Sequence, residues 1–344
     1  MTRLEWTGSS WAPVIGPVEP GPRPRWSVMI PAYNSVSLLA RTLESVLVQD
    51  PGPEQMQIEV VDDGSTDDPA ELVARLAGTR VTVFRQDVNV GASANFTTCV
   101  RRSRGEWVHI LHSDDMVLPG FYARYEGAAM ACPDAVMVAA QTITVDVAER
   151  YLGITPPLAT VGGRVVDAAL TIATEHPLAA ASVVIARAAY EAAGGFHPDL
   201  AHTNDWKMWT RIASLGPVAW VSEPMALYRG HEASDSNRVH HDTRYLDECL
   251  EAAAVFAGYF PAGRRDAVRR GAARSIARYA NSVGYELVGR GYRRLAIENA
   301  WQAVRIDRHV QTITRAAEVA ALAVGAVARE WATTVRSVLS RVDR

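Results

Sequence analysis

The chain has 344 residues, 48% of them hydrophobic and 21% charged, with a formal net charge of -3. That balance excludes a disordered or fibrous protein, and the length favours one large α/β domain plus an appendage. Three cysteines, at 99, 132 and 249, are too few and too far apart for a disulfide framework or a cysteine zinc site, and they suit a reducing cytoplasm.

Residues 1–25 read as a flexible leader, because prolines at 13, 17, 20, 22 and 24 oppose regular structure. The leader lacks the apolar stretch of a targeting signal. Strand and helix patterns then alternate. Strands are expected at Trp26–Ile30, Gln57–Val61, Val81–Phe84 and Trp107–Leu111, and helices at Ser37–Val48, Pro69–Ala77 and Ala92–Arg102. Short apolar runs separated by helices imply a mainly parallel sheet covered by helices. Beyond Val136 the pattern loosens. Strands are expected at Ser182–Ala186 and Pro217–Val221, helices at Arg187–Ala193 and Asp205–Leu215, and residues 141–181 carry no readable motif. From about Asp242 onward only helices are expected: a hairpin of Arg264–Val288 and Tyr292–Arg305 broken at Gly289–Gly291, then Gln311–Ser340. Residues 261–344 hold 16 Arg against 7 Asp plus Glu, so the basic charge is concentrated there.

Parallel sheets hold ligands at the carboxyl ends of their strands, so the residues just after each strand matter most. The first strand runs into Pro31, Ala32, Tyr33 and Asn34. An aromatic ring at the mouth of a sheet can stack on a planar base, although Asn34 or Ser35 could equally cap the next helix. The second strand ends in Asp62, Asp63, Gly64, Ser65, Thr66 and Asp67. Adjacent carboxylates repel, and a base N–H or ribose hydroxyl would relieve one of them; a capping turn is the plainer alternative. Asn89, Val90 and Gly91 open a helix on which Asn95 faces inward, and Gly91 would let an anion approach the backbone. The fourth strand ends in His112, Ser113, Asp114 and Asp115. Carboxylates in such a place are costly without a cation, and hard oxygen ligands suit Mg2+ or Mn2+. The same pair could instead cap the helix near Leu118.

In order and spacing, SVMIPAYN (27–34), VDDGSTD (61–67), NVGASAN (89–95) and HSDD (112–115) resemble the family 2 glycosyltransferases, a likeness that covers roughly residues 26–232. The resemblance implies a GT-A fold, inverting chemistry, a nucleotide-diphosphate sugar donor (a UDP- or dTDP-sugar) and Mn2+ or Mg2+. It implies that Tyr33 stacks on the base, that Asp63 bonds the base edge, and that Pro31 and Ala32 line the pocket through their backbone. Asn34, Asn89, Gly91, Asn95 and Ser113 would surround the donor, Asp114 would hold ribose or sugar, and Asp115 would bind the metal. His112 stands where many members have Asp, which leaves sugar and metal preference open.

Gly194, Gly195 and Phe196, followed by Thr203, Asn204, Asp205 and Trp206, resemble the family's G-G-F segment and the E-D pair at a helix start, with Asn204 in place of Glu. The match implies Asp205 as general base, with Asn204, Trp206 and Arg229 near the acceptor. Desolvation beside Trp206 would raise the Asp205 pKa and the helix N-terminus would lower it; Asp205 could also serve as the helix cap. Ala226–His231, with Ser234 and Ser236, resembles the family's Y-R-x-H-x-x-S stretch and makes His231 an expected third metal ligand or diphosphate contact.

The expected organisation is therefore a leader (1–25), a GT-A domain (26–240, divided into 26–118 and 119–240) and a helical extension (241–344). The expected activity is sugar transfer to a hydroxyl of a glycan or lipid-linked saccharide in cell-surface polysaccharide or glycoconjugate synthesis. A degenerate nucleotide-sugar-binding module is the alternative that His112 and Asn204 allow. A nucleotidyltransferase fits poorly, because residues 31–37 contain no Gly or Lys for a phosphate loop. A cytoplasmic protein is expected, with no nucleic-acid partner. Its C-terminal helices would touch the inner face of the membrane or pair in a homodimer.

Overall fold

A computed structural model describes residues 12–197, 203–231 and 243–325. Strands β1 (Trp26–Ala32) and β2 (Met56–Asp62) are buried along their whole length, so they read as nearly continuous apolar runs. They join β3 (Thr82–Arg85), β4 (Trp107–Ile110), β5 (Met116–Val117), β6 (Met137–Val145), β7 (Tyr151–Ile154), β8 (Gly163–Val165), β9 (Val183–Ala186) and β10 (Val218–Arg229) in one sheet. The strand order is β3-β2-β1-β4-β9-β6-β10-β5, with β7 on β6 and β8 on β10.

The first four strands are parallel. Strand β9 then enters antiparallel between β4 and β6, and β10 runs parallel to β6. The order reverses on either side of β1, so a crevice opens where the carboxyl ends of β1 and β4 diverge, the usual ligand position in such sheets. Helices α1 (Val36–Leu47), α2 (Pro69–Ala77), α3 (Ala92–Arg102), α4 (Phe121–Ala131), α5 (Ala168–Glu175), α6 (Arg187–Ala193) and α7 (Asn204–Ala213) complete this unit. Helix α1 shows why they pack: Leu39, Thr42, Leu43 and Val46 recur at helical spacing and are its buried face.

The leader departs from expectation. Its prolines do keep residues 12–25 free of helix and strand up to Arg25, but the segment is pinned. Gly195 N–H donates to Pro13 O at 2.7 Å and the Arg187 guanidinium to Gly16 O at 3.0 Å, while Ile15 is buried. Residues 1–11 lie outside the described residues.

The chain divides into two compact units, one through Glu232 and one from Ala233. The second contains α8 (Arg244–Ala257), α9 (Ala262–Gly289) and α10 (Arg293–Ile306), then a helix that begins at 310 and runs through 325. Gly291, at φ +84°, makes the turn between α9 and α10. The core here is rich in alanine (272, 277, 280, 296, 300 and 303), which lets helices approach closely. A Cβ on Gly284 would lie 2.9 Å from Val319, so that approach needs glycine. The expected continuation to Ser340 falls outside the described residues. Among the described residues no helix is long and apolar enough to cross a membrane.

Candidate active site

The β1 and β2 loops are built as one piece. Asn34 adopts φ +49°, a conformation asparagine tolerates, and its Oδ1 accepts the Thr66 N–H at 2.8 Å while its own N–H donates to Ser65 Oγ. Asp67 reaches across to accept the first N–H of α1, from Val36, at 2.9 Å. Ser35 makes no side-chain cap; its hydroxyl meets Ser113 Oγ at 2.7 Å. Pro31 and Ala32 pair within the sheet, and Ala32 O accepts the Asp63 N–H, so their backbone is engaged. The Tyr33 ring is left 43% exposed at the mouth of the crevice.

Asp63 is buried, and its two oxygens accept the N–H groups of Val90 (2.8 Å) and Gly91 (3.0 Å). Burial raises its pKa above the usual carboxylate range against the pull of those two donors. The carboxylate thus clamps the 89–91 loop, with Gly64 (φ +73°) fitting only because a Cβ would stand 3.1 Å from Asn89 N. Asn89 is exposed and accepts from Gly91 N–H. Asn95, expected on the donor, is turned into the protein instead. Its amide donates to Val61 O at 2.9 Å and accepts from Gln86, where α3 packs on β2.

The turn after β4 is held from α1: Thr42 Oγ1 donates to the carbonyls of Ser113 (2.9 Å) and Asp115 (2.7 Å). Strand β5 pairs antiparallel with the end of β10 and brings residues 229–231 against this turn. Arg229 N–H donates to Asp115 Oδ1 at 3.0 Å, and His231 Nε2 lies 2.9 Å from Asp114 Oδ2. Arg229 is the last residue of β10, not a loop residue, and is 3% exposed, which places its backbone rather than an exposed guanidinium at the site. His231 meets Asp114 rather than Asp115.

Burial would raise the Asp114 pKa, but the His231 hydrogen bond and nearby His112 outweigh it and hold the group below its usual value. Asp115 is pushed well above the usual range by burial and by the charge of Asp114. Its Oδ2 is buried without a hydrogen-bond partner. One ligand atom each from His112, Asp114 and Asp115 lies within 4.8 Å of the others. Two carboxylates, one of them with an orphaned buried oxygen, and an imidazole form a donor set that fits Mn2+ or Mg2+.

His112 also stacks on Phe96, with ring centroids 5.1 Å apart, and with Asp205 lines a small cavity walled by Phe96, Ile110, Phe196 and Trp209. Asp205 stands in the first turn of α7, where its Oδ1 accepts the Trp206 N–H at 2.5 Å. The two neighbours expected beside the acceptor are placed otherwise. Asn204 is buried and donates to Ser93 Oγ at 3.0 Å, tying the start of α7 to that of α3. Trp206 is buried, with its indole N–H on Ile172 O at 2.7 Å. Of the two tryptophans of α7, Trp209 is the one that lines the cavity, and its spacing of four from Asp205 on one helix was the available signal.

Residues 27–178 match the family model described as glycosyl transferase family 2. That segment, a little under half of the chain, is a glycosyl transferase family 2 domain. Over 96 residues it is 34% identical to the succinoglycan biosynthesis protein ExoO of Rhizobium meliloti, an alignment spanning 28% of this chain and 27% of that protein. The chain therefore covers about a quarter of the length of that relative. The solved structure of S. aureus TarS 1–349 in complex with UDP-GlcNAc superposes with a TM-score of 0.62 at 15% identity, covering 82% of this chain and 81% of the other. Mannosyltransferase PcManGT from Pyrobaculum calidifontis, in complex with GDP-Man and Mn2+, gives a TM-score of 0.55 at 20% identity, covering 92% and 86%. Both structures share the α/β GT-A architecture described above.

Proposed function

We propose that this glycosyltransferase moves a sugar from a nucleotide-diphosphate donor, of UDP or dTDP type, to a hydroxyl of a glycan or lipid-linked saccharide in polysaccharide synthesis. The observation that carries the reading is the joining of two chemistries at one place: His112 belongs both to the carboxylate cluster and to the cavity onto which Asp205 faces. The donor complexes of TarS and PcManGT and the succinoglycan relative support the donor class and the polysaccharide setting.

Tyr33 offers a face to the base, and the clamped 63–67 and 89–91 loops shape the nucleoside pocket. Asp114, Asp115 and an imidazole from His112 or His231 would hold Mn2+ or Mg2+, which when bound neutralises the diphosphate as it departs. Asp205 takes the proton from the acceptor hydroxyl, whose oxygen attacks the anomeric carbon as the bond to the diphosphate oxygen breaks with its electron pair. One displacement inverts the anomeric centre.

Thermal-shift screening of nucleotide sugars with Mn2+ identifies the donor, and transfer is then followed with that donor. Asp205→Asn should lower transfer by about a hundred- to ten-thousandfold, in keeping with loss of a general base, while keeping the donor-induced shift. Loss of that shift would move Asp205 from base to donor ligand. Donor binding without hydrolysis or transfer by the parent protein would establish a binding module instead.

A further inference from the structure

We propose that the outer face of α10 docks on an anionic lipid surface. Arg294, Ile297, Trp301 and Arg305 recur at steps of three, four and four, so they share one side of the helix. The opposite side, with Ala296, Asn299, Ala300 and Ala303, is the buried one. Trp301 is 59% exposed and Ile297 39%, so this face presents apolar surface to solvent between its arginines. The Arg305 guanidinium lies 4.6 Å from the centroid of the Trp301 ring, and Arg294 is almost fully exposed and paired with Glu298 one turn on.

Charge selects the occupant. From 290 to 308 there are five arginines against Glu298 and Asp307, and Asp307 is engaged by Thr312 Oγ1 at 2.7 Å. A tryptophan sharing its helix face with Arg294 and Arg305 matches the headgroup level of a bilayer, where the indole lies among glycerol and carbonyl groups and the guanidinium groups reach phosphates. Neither signal is sufficient alone: a basic patch is screened by salt and a single apolar insertion is weak, but together they hold a protein at a surface. Docking there would bring the enzyme to acceptors carried on lipid. The inference rests on the second unit and stands whether or not the donor reading does.

The test is flotation of the full chain with vesicles of phosphatidylcholine alone and of phosphatidylcholine with about a third phosphatidylglycerol. The parent protein should float with the second and not the first. Each arginine near such a surface contributes a factor of about five, so Arg294→Gln with Arg305→Gln should weaken binding about thirtyfold. Trp301→Ala should weaken it independently of salt. All three positions are exposed, and unchanged melting temperatures will show that the variants fold. Arg101→Gln, at an exposed arginine of the first unit, should leave binding as it was. Equal flotation with both vesicles, equal weakening by Arg101→Gln, or variants that bind like the parent overturn the proposal. So does a vesicle-free sedimentation run in which Trp301→Ala breaks a homodimer while lipid binding persists.

Discussion

At the scale of the residue, the cost of Asp115 is the most informative quantity. A carboxyl buried to 1% exposure, with one oxygen unpartnered and a second carboxylate adjacent, is a poor arrangement for stability. It makes sense as a prepared half of a cation site. Metal at about a hundred times its dissociation constant should stabilise the fold by about 2.7 kcal/mol. Asp115→Asn should abolish that Mn2+-dependent shift in melting temperature; a full shift in the variant would place the metal elsewhere. The acidic pair was legible in sequence because its meaning depends only on its place at a strand end. Asp63, Asn95, Asn204 and Trp206 were less so. Their partners, Val90 and Gly91, Val61, Ser93 and Ile172, come from other elements, and no local pattern encodes which side chains are consumed in bracing the loops.

At the scale of the element, the parallel half was readable from β1 to β4, because β1, β2 and β3 are short runs each followed by an amphipathic helix and β4 is a short apolar run ending in the acidic turn. Strand β10 was read as ending at Val221. Ser222, Glu223 and Pro224 look like a turn, yet they form a bulge after which pairing with β6 resumes at Ala226. That bulge carries Arg229 and His231 to the acidic turn. Strand β4 hides a second feature. His109 points into the core, stacks on Phe121 with centroids 4.8 Å apart, and lies 3.0 Å from Ala181 O and 3.2 Å from the Tyr122 hydroxyl. Burial lowers its pKa to about 3, against an ordinary value of 6.5. The unfolded chain therefore binds a proton that the folded one refuses between those values, so stability present above pH 6.5 is lost as pH falls through the window. The parent should lose up to about 1.4 kcal/mol per pH unit more steeply than His109→Gln, measured by urea unfolding at pH 7, 6 and 5. Parallel slopes would mean that His109 is protonated in place.

At the scale of the whole molecule, the residues proposed for donor, metal and base all fall between 31 and 231, within the first compact unit. The basic, tryptophan-bearing face belongs to the second. Their cores also differ in kind. The first packs Leu, Ile, Val, Met and aromatic side chains around a sheet, whereas the second is built on alanine contacts between helices with buried Asn281 and Asn299. Cores so unlike should melt with different enthalpies, and a ligand stabilises only the cooperative unit that binds it. Calorimetry should therefore resolve two transitions, of which UDP with Mn2+ raises one and leaves the other in place. Trp301→Ala, on an exposed face, should disturb neither. A single transition whose calorimetric and van't Hoff enthalpies agree, and which UDP with Mn2+ shifts as a whole, would show the two units to be one cooperative fold.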